Sequence, residues 1–109
     1  MSRPDDQRLD DMREQCALIN RLAARGRNAF DTDEAIRFAM ERSMEILGEA
    51  ANVVGEMARI DHPDIDWHRI TRFRVLLAHH YHRVDPEQVW TIAVDEIPRL
   101  ASGLGPPPT

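Results

Sequence analysis

Apolar residues recur at steps of three and four along most of the chain, the spacing that gathers side chains on one stripe of an α-helix. Leu9, Met12, Cys16, Ile19 and Leu22 form the first series and predict a helix from about Asp5 to Arg25. Gly26 is a suitable left-handed stop, and Arg21 and Arg25 suit the negative end of the helix dipole. The second series, Ile36, Met40, Met44, Leu47, Ala51, Val54 and Ala58, predicts one long helix ending before His62-Pro63. Asp31 and Thr32 can cap its start, with Glu34 in capping-box position. A parallel row of Ala39, Ile46, Ala50 and Val53 widens the apolar face, so this helix should contact more than one neighbour. Gly48, Ala50 and Ala51 would let another helix approach closely, either as ordinary core packing or for a special purpose.

Asp64-Ile65-Asp66 reads as a connector whose last residue caps a helix running from Trp67 to about Tyr81, whole or broken in two. Asp85-Pro86 is a further start signal, because proline is tolerated at the first helical position, and Gln88 would complete a capping box. The final helix holds Val89, Trp90, Ala93, Val94 and Ile97 and is expected to end before Pro98. Gly103 to Thr109, with three consecutive prolines, read as a disordered tail. There is no strand alternation and no internal repeat. The pattern predicts an all-α, up-and-down bundle of four to five helices, with a domain over residues 1–102 and a tail over 103–109.

A chain of 109 residues with 42% hydrophobic content is enough for one core and no second. So small a domain buries a modest share of its surface, and a second copy would be a natural supplement; a homodimer is expected. The single cysteine, Cys16, excludes an intrachain disulfide and sits on an apolar stripe, where a buried inert thiol is the expected state. No basic-plus-apolar leader is visible, and no apolar run approaches the roughly 20 residues that cross a bilayer. A soluble cytoplasmic protein is expected.

The net charge of −5 argues against indiscriminate nucleic-acid binding, and no DNA partner is expected for this chain alone. The charge is unevenly distributed. Between Trp67 and Val84 there is no Asp or Glu, although the chain has 19, and this stretch carries Arg69, Arg72, Arg74 and Arg83 with His68, His79, His80 and His82. A cationic patch on an acidic body follows.

Inside that stretch Arg74, His79 and Tyr81 stand close together in sequence. On a continuous helix Arg74 and Tyr81 share a face, whereas His79 is turned about 140° from Arg74. The three converge if the helix ends near His79, if the arginine stem bends across, or if a second subunit completes the site. Chemically the set suits RNA cleavage by the ribose 2′-hydroxyl. Histidine can take or give the proton, and guanidinium makes forked hydrogen bonds to a phosphate whose charge grows in the transition state, without need of a metal. Tyrosine can stack on a base or bond a phosphate. The competing reading is a pair of solvated surface groups. Three clustered histidines lack the partners and the separated second half of a zinc site, so no metal and no cofactor is expected. Trp67, Phe73 and Trp90 read as core anchors rather than base-stacking groups. Glu41, Glu45 and Glu49 read as a solvated acidic face rather than a carboxylate centre.

With these residues in place the sequence resembles the HepT-like toxins of the HEPN superfamily, whose hallmark is Arg, four residues, His, one residue, Tyr. Arg74, His79 and Tyr81 satisfy it. The likeness runs from Ile46-Leu47-Gly48-Glu49-Ala50-Ala51 through His62-Pro63-Asp64-Ile65-Asp66-Trp67 to Val84-Asp85-Pro86-Glu87-Gln88-Val89-Trp90 and Ile97-Pro98, most of the chain. The resemblance implies a HEPN-like helical homodimer with two motif helices facing one cleft, and metal-independent endoribonuclease activity on tRNA or mRNA. Arg74 and His79 would be catalytic, and Tyr81 would contact substrate. It also implies a minimal nucleotidyltransferase antitoxin that transfers AMP from ATP to Tyr81, where the anionic adduct would repel phosphates. One position departs from the family pattern: Val75 stands where a polar residue, often Asn, follows the motif arginine. That departure carries the alternative, a non-catalytic helical module that binds a nucleotidyltransferase or a nucleotide; a purely structural helical dimer is the third reading.

Overall fold

The computed structural model describes residues 4–78 and 84–108. Among them the chain forms α1 (Asp5–Ala23), α2 (Arg27–Thr32), α3 (Glu34–Val53), α4 (Glu56–Ile60), α5 (Trp67–Ala78), α6 (Pro86–Thr91) and α7 (Ile97–Leu104). A π-helical turn, Ile92–Glu96, joins the last two. No strand occurs among the described residues, as the periodicity requires. None of these helices is long and apolar enough to cross a membrane.

α3 is the central element, with α1 packed along one side and α5 along another, while α7 and the π turn lie on α1. The predicted stripes form the core: Met12, Cys16 and Ile19 of α1 are fully buried in one cluster with Met40, Met44 and Leu47 of α3 and Ile97 of α7. Each such side chain contributes roughly 1.5–3 kcal/mol by leaving water. The buried hydroxyl of Ser43 is satisfied, its Oγ donating to Oε1 of Gln15 at 2.6 Å. Burial pushes the Cys16 thiol up to about 12, which keeps it protonated and unreactive.

Several boundaries differ from the sequence reading. α1 stops at Ala23, and Gly26, at φ 96°, starts a short helix the periodicity missed. That helix, α2, holds the fully buried Phe30, whose ring lies 5.2 Å from Trp90, with the Arg27 guanidinium over both rings. The cap of α3 is Asp33, which accepts from the Ala35 N–H at 2.9 Å; Asp31 is instead paired with Arg27.

The long helix expected to reach His62 breaks at Val54, which is extended. The Gly55 N–H donates to both carboxylate oxygens of Asp5 at 3.2 Å, and Arg8 reaches the Val53 carbonyl. A Cβ on Gly55 would lie 2.7 Å from Asp5 Oδ2, so the carboxylate can approach only a glycine. Arg59 of α4 then folds back, donating from Nε to the Val54 carbonyl at 3.1 Å and from Nη2 to that of Ala51 at 2.8 Å. These contacts give the Ala51 carbonyl, which also accepts from the Val54 N–H at 3.3 Å, a second donor and tie α4 to the end of α3.

Pro98 does not end the last helix. Its ring lacks an N–H and would crowd the carbonyl four residues back, and the π turn widens the hydrogen-bond ladder just before it. The buried stripe Val89, Ile92, Ala93, Ile97, Leu100 and Leu104 therefore runs on unbroken. Gly103 and Leu104, assigned to the tail from sequence, belong to α7. Leu104 is buried, and its carbonyl accepts from Arg13 Nε at 2.7 Å.

Candidate functional site

The expected catalytic stretch begins on α5. Asp66 caps that helix, its Oδ1 accepting from the Arg69 N–H at 3.1 Å. Trp67, Ile70 and Phe73 are buried and fix which side faces inward, so the two aromatics are core anchors as expected. Trp67 is held further by its Nε1 donating to the His62 carbonyl at 3.2 Å and by the Arg59 guanidinium 5.4 Å above its ring. The end of α3, α4 and the start of α5 are thereby fastened together.

Arg74 lies where α5 crosses α3. A Cβ on Gly48 would stand 2.9 Å from the Arg74 backbone nitrogen, 3.1 Å from its Cβ and 3.2 Å from the Ile70 carbonyl oxygen. Glycine is what lets the two backbones come this close. The small residues of α3 noted in the sequence thus have a specific use at position 48. Arg74 is half-buried, and its Nε is a buried donor with no hydrogen-bond partner among the described residues. Leaving such a donor unmatched costs on the order of 1–3 kcal/mol. His79 and Tyr81, with His80, His82 and Arg83, lie outside the described residues, as does the expected helix end near Tyr81.

The cationic stretch acquires partners the sequence did not reveal. Arg69 is exposed and ion-paired with Glu96 of the π turn. That bond raises the Arg69 pKa further and keeps the side chain charged. Arg72 is exposed and forms no ion pair among the described residues. Two cavities open along this side of α5, and Arg69, Phe73 and Glu96 line both, so the ion pair stands between them. The first, about 390 Å³, lies toward α7 and includes Asp64, Asp66 and Arg99. The second, about 540 Å³, lies toward α6 and includes Arg72, Leu76, Gln88, Thr91 and Ile92. Arg74 lines neither. Its position on α5 is about 200° round the helix from Arg72 and Leu76, so the motif arginine faces away from the cavity toward α6.

Sequence reasoning missed Gln88, Thr91, Glu96 and Arg99 as site neighbours, because they face α5 only through the packing of α6, the π turn and α7. Gln88 was expected in a capping box. The observed cap is Asp85 alone, whose Oδ1 accepts from the Glu87 N–H at 3.0 Å, and Gln88 turns to the cavity. Val75 is 47% exposed, an apolar side chain at the surface beside the motif arginine. The acidic row on α3 is only partly solvated. Glu41 is half-buried and its carboxyl is shifted up by desolvation, against the opposing pull of Arg37; Glu45 pairs with Arg42 at 3.1 Å.

Comparison with known proteins agrees with the helical fold. The profile of the family described as "Ribonuclease HepT-like" matches residues 12–104. The chain is similar to the "Probable ribonuclease HepT" of Thermococcus cleftensis, with 33% identity over 92% of each chain. It is also similar to "Putative RNase MJ1380" of Methanocaldococcus jannaschii, with 30% identity over 67% of each chain. "Putative RNase TTE0752" of Caldanaerobacter subterraneus shares 31% identity over 84% of this chain and 83% of its own. No solved structure matches. With the profile spanning all but the two ends of the chain, this protein belongs to the HepT-like ribonuclease family.

Proposed function

We propose that this chain is a metal-independent endoribonuclease acting as the toxin of a toxin–antitoxin pair. The observation that carries the reading is Arg74: the motif arginine holds a buried N–H with no partner among the described residues, on a helix pressed against α3 at Gly48. A phosphate oxygen is the acceptor this donor suits, because guanidinium bonds phosphate through a planar fork.

In the proposed reaction the ribose 2′-hydroxyl attacks the adjacent phosphorus, the bond to the 5′-oxygen breaks, and a 2′,3′-cyclic phosphate and a free 5′-hydroxyl result. His79 removes the 2′-hydroxyl proton or donates one to the departing oxygen. Arg74 stabilises the added negative charge on the phosphorus oxygens. Tyr81 contacts the RNA, and neutralisation follows when a nucleotidyltransferase antitoxin places AMP on its hydroxyl. In that step the phenolic oxygen attacks the α-phosphorus of ATP and pyrophosphate leaves. The substrate is tRNA or mRNA, and the working unit is a homodimer. Arg74 lines neither cavity and faces away from the one toward α6, which favours a cleft completed by the second subunit over one assembled within a single chain.

The test joins growth and mass. Expression of the chain alone should arrest growth, and Arg74→Ala or His79→Ala should relieve the arrest. Incubation with ATP and the neighbouring nucleotidyltransferase should add the mass of AMP to the wild type and not to Tyr81→Phe. Continued growth arrest by both motif variants would remove the catalytic assignment.

One observation favours a second reading, a binding module without catalysis: the apolar, exposed Val75 beside Arg74. RNA cleavage that appears only in Val75→Asn would support it, and cleavage by the unaltered chain would exclude it.

A further inference from the structure

The cavity between α5 and α6 is absorbed by neither the motif nor the fold. Its α5 wall includes Arg72, Phe73 and Leu76, which face Gln88 and Thr91 of α6 and Ile92 of the π turn. At about 540 Å³ it falls within the range of small-molecule sites and is far larger than a water pocket. Its chemistry is divided in a particular way. One cation, Arg72, forms no ion pair among the described residues, whereas the neighbouring Arg69 is already neutralised by Glu96. Phe73, Leu76 and Ile92 supply an apolar wall. Gln88 and Thr91, three apart on α6, are exposed, and their side chains offer both donors and acceptors.

A guanidinium with no ion pair among the described residues, an apolar wall and a mixed amide–hydroxyl edge together match a phosphate, a base and a base edge.

We propose that this cavity is a subsite for one unpaired ribonucleotide of the bound RNA. Arg72 holds its phosphate, the apolar wall takes its base, and Gln88 and Thr91 read its edge. The inference rests on the ribonuclease reading and adds to it a source of sequence preference at one position.

The test uses the full-length protein with AMP, GMP, CMP and UMP as probes, followed by nuclear magnetic resonance. One of the four should bind at least about fivefold more tightly than the weakest, with saturable shifts at the Gln88 side-chain amide, Thr91 and the Phe73 ring, a preference on the scale of one net hydrogen bond. Arg72→Ala should weaken all four alike, and Gln88→Ala with Thr91→Val should level the differences between them. A 2′-O-methylated oligoribonucleotide, which cannot be cut, should displace the bound nucleotide. Circular dichroism on each variant separates lost binding from lost folding. Shifts that map elsewhere, equal binding by the Arg72→Ala protein, or a nucleotide that the oligomer fails to displace would overturn the subsite. Specific binding here by a chain that never cleaves RNA would retain the site and refute the ribonuclease reading; cleavage without binding here would do the reverse.

Discussion

Gly48 and Arg74 meet backbone to backbone: a methyl group on the glycine would lie 2.9 Å from the arginine's amide nitrogen. That contact fixes how far α5 sits from the centre of the bundle, and with it where the motif arginine emerges. Gly48→Ala gains helix propensity of about 1 kcal/mol, but the clash is with backbone, which cannot swing aside, and overpacking of this kind costs about 1–3 kcal/mol. A net loss of about 1 kcal/mol is expected, a fall of roughly 4–8 °C in melting temperature for a domain of this size. Differential scanning calorimetry measures it; an unchanged or raised midpoint would mean that the two helices separate freely.

Arg59 joins three elements through two carbonyls of α3 and the ring of Trp67. Lysine keeps the charge but has no fork to span both acceptors and no plane to stack. Arg59→Lys is expected to lower stability by about 1–2 kcal/mol, the scale of a charge-assisted hydrogen bond, visible as a lower urea midpoint with an unchanged slope.

Glu41 gives a pH signature. Its folded-state pKa is raised, first by desolvation, with Arg37 opposing. The native state therefore holds the proton more tightly than the unfolded chain, and stability from this group is lost as pH rises through the window above the ordinary glutamate value. Glu41→Gln removes that loss. The variant should melt higher than wild type at pH 7, and the gap should close near pH 3, where both forms carry a neutral side chain. Equal melting temperatures across this range would show that Glu41 is as well solvated as its neighbours.

Cys16 should be silent to a thiol reagent in the native protein, because burial holds its thiol up at about 12 and its surface is closed. Ellman's reagent at pH 8 is expected to release colour only on addition of denaturant. Rapid reaction without denaturant would mean that α1 opens from α3.

The stripes of α1 and α3 were legible in the sequence because burial selects residue type at every turn, and the same periodicity marked Trp67 and Phe73 as anchors. What escaped had tertiary causes. The break at Val54 depends on an aspartate 50 positions away in sequence reaching the Gly55 amide. The passage through Pro98 depends on a π turn that no periodicity announces. The motif arginine was visible as a residue type at a spacing, while its orphaned N–H and its closeness to Gly48 were not. The cavity was hidden for the same reason, since its two walls come from helices separated by the motif itself.

In the proposed reaction the Arg74 guanidinium completes its hydrogen bonding on the phosphate being cleaved. Single-turnover cleavage of an RNA in the presence of a chelator, with mass analysis of the new ends, tests it most directly. Wild type should yield 2′,3′-cyclic phosphate ends, and Arg74→Ala should slow the step by about 10²–10³-fold, the loss typical when one transition-state donor is removed. Cleavage by Arg74→Ala at the wild-type rate, or no cleavage by wild type without added metal, would contradict the account.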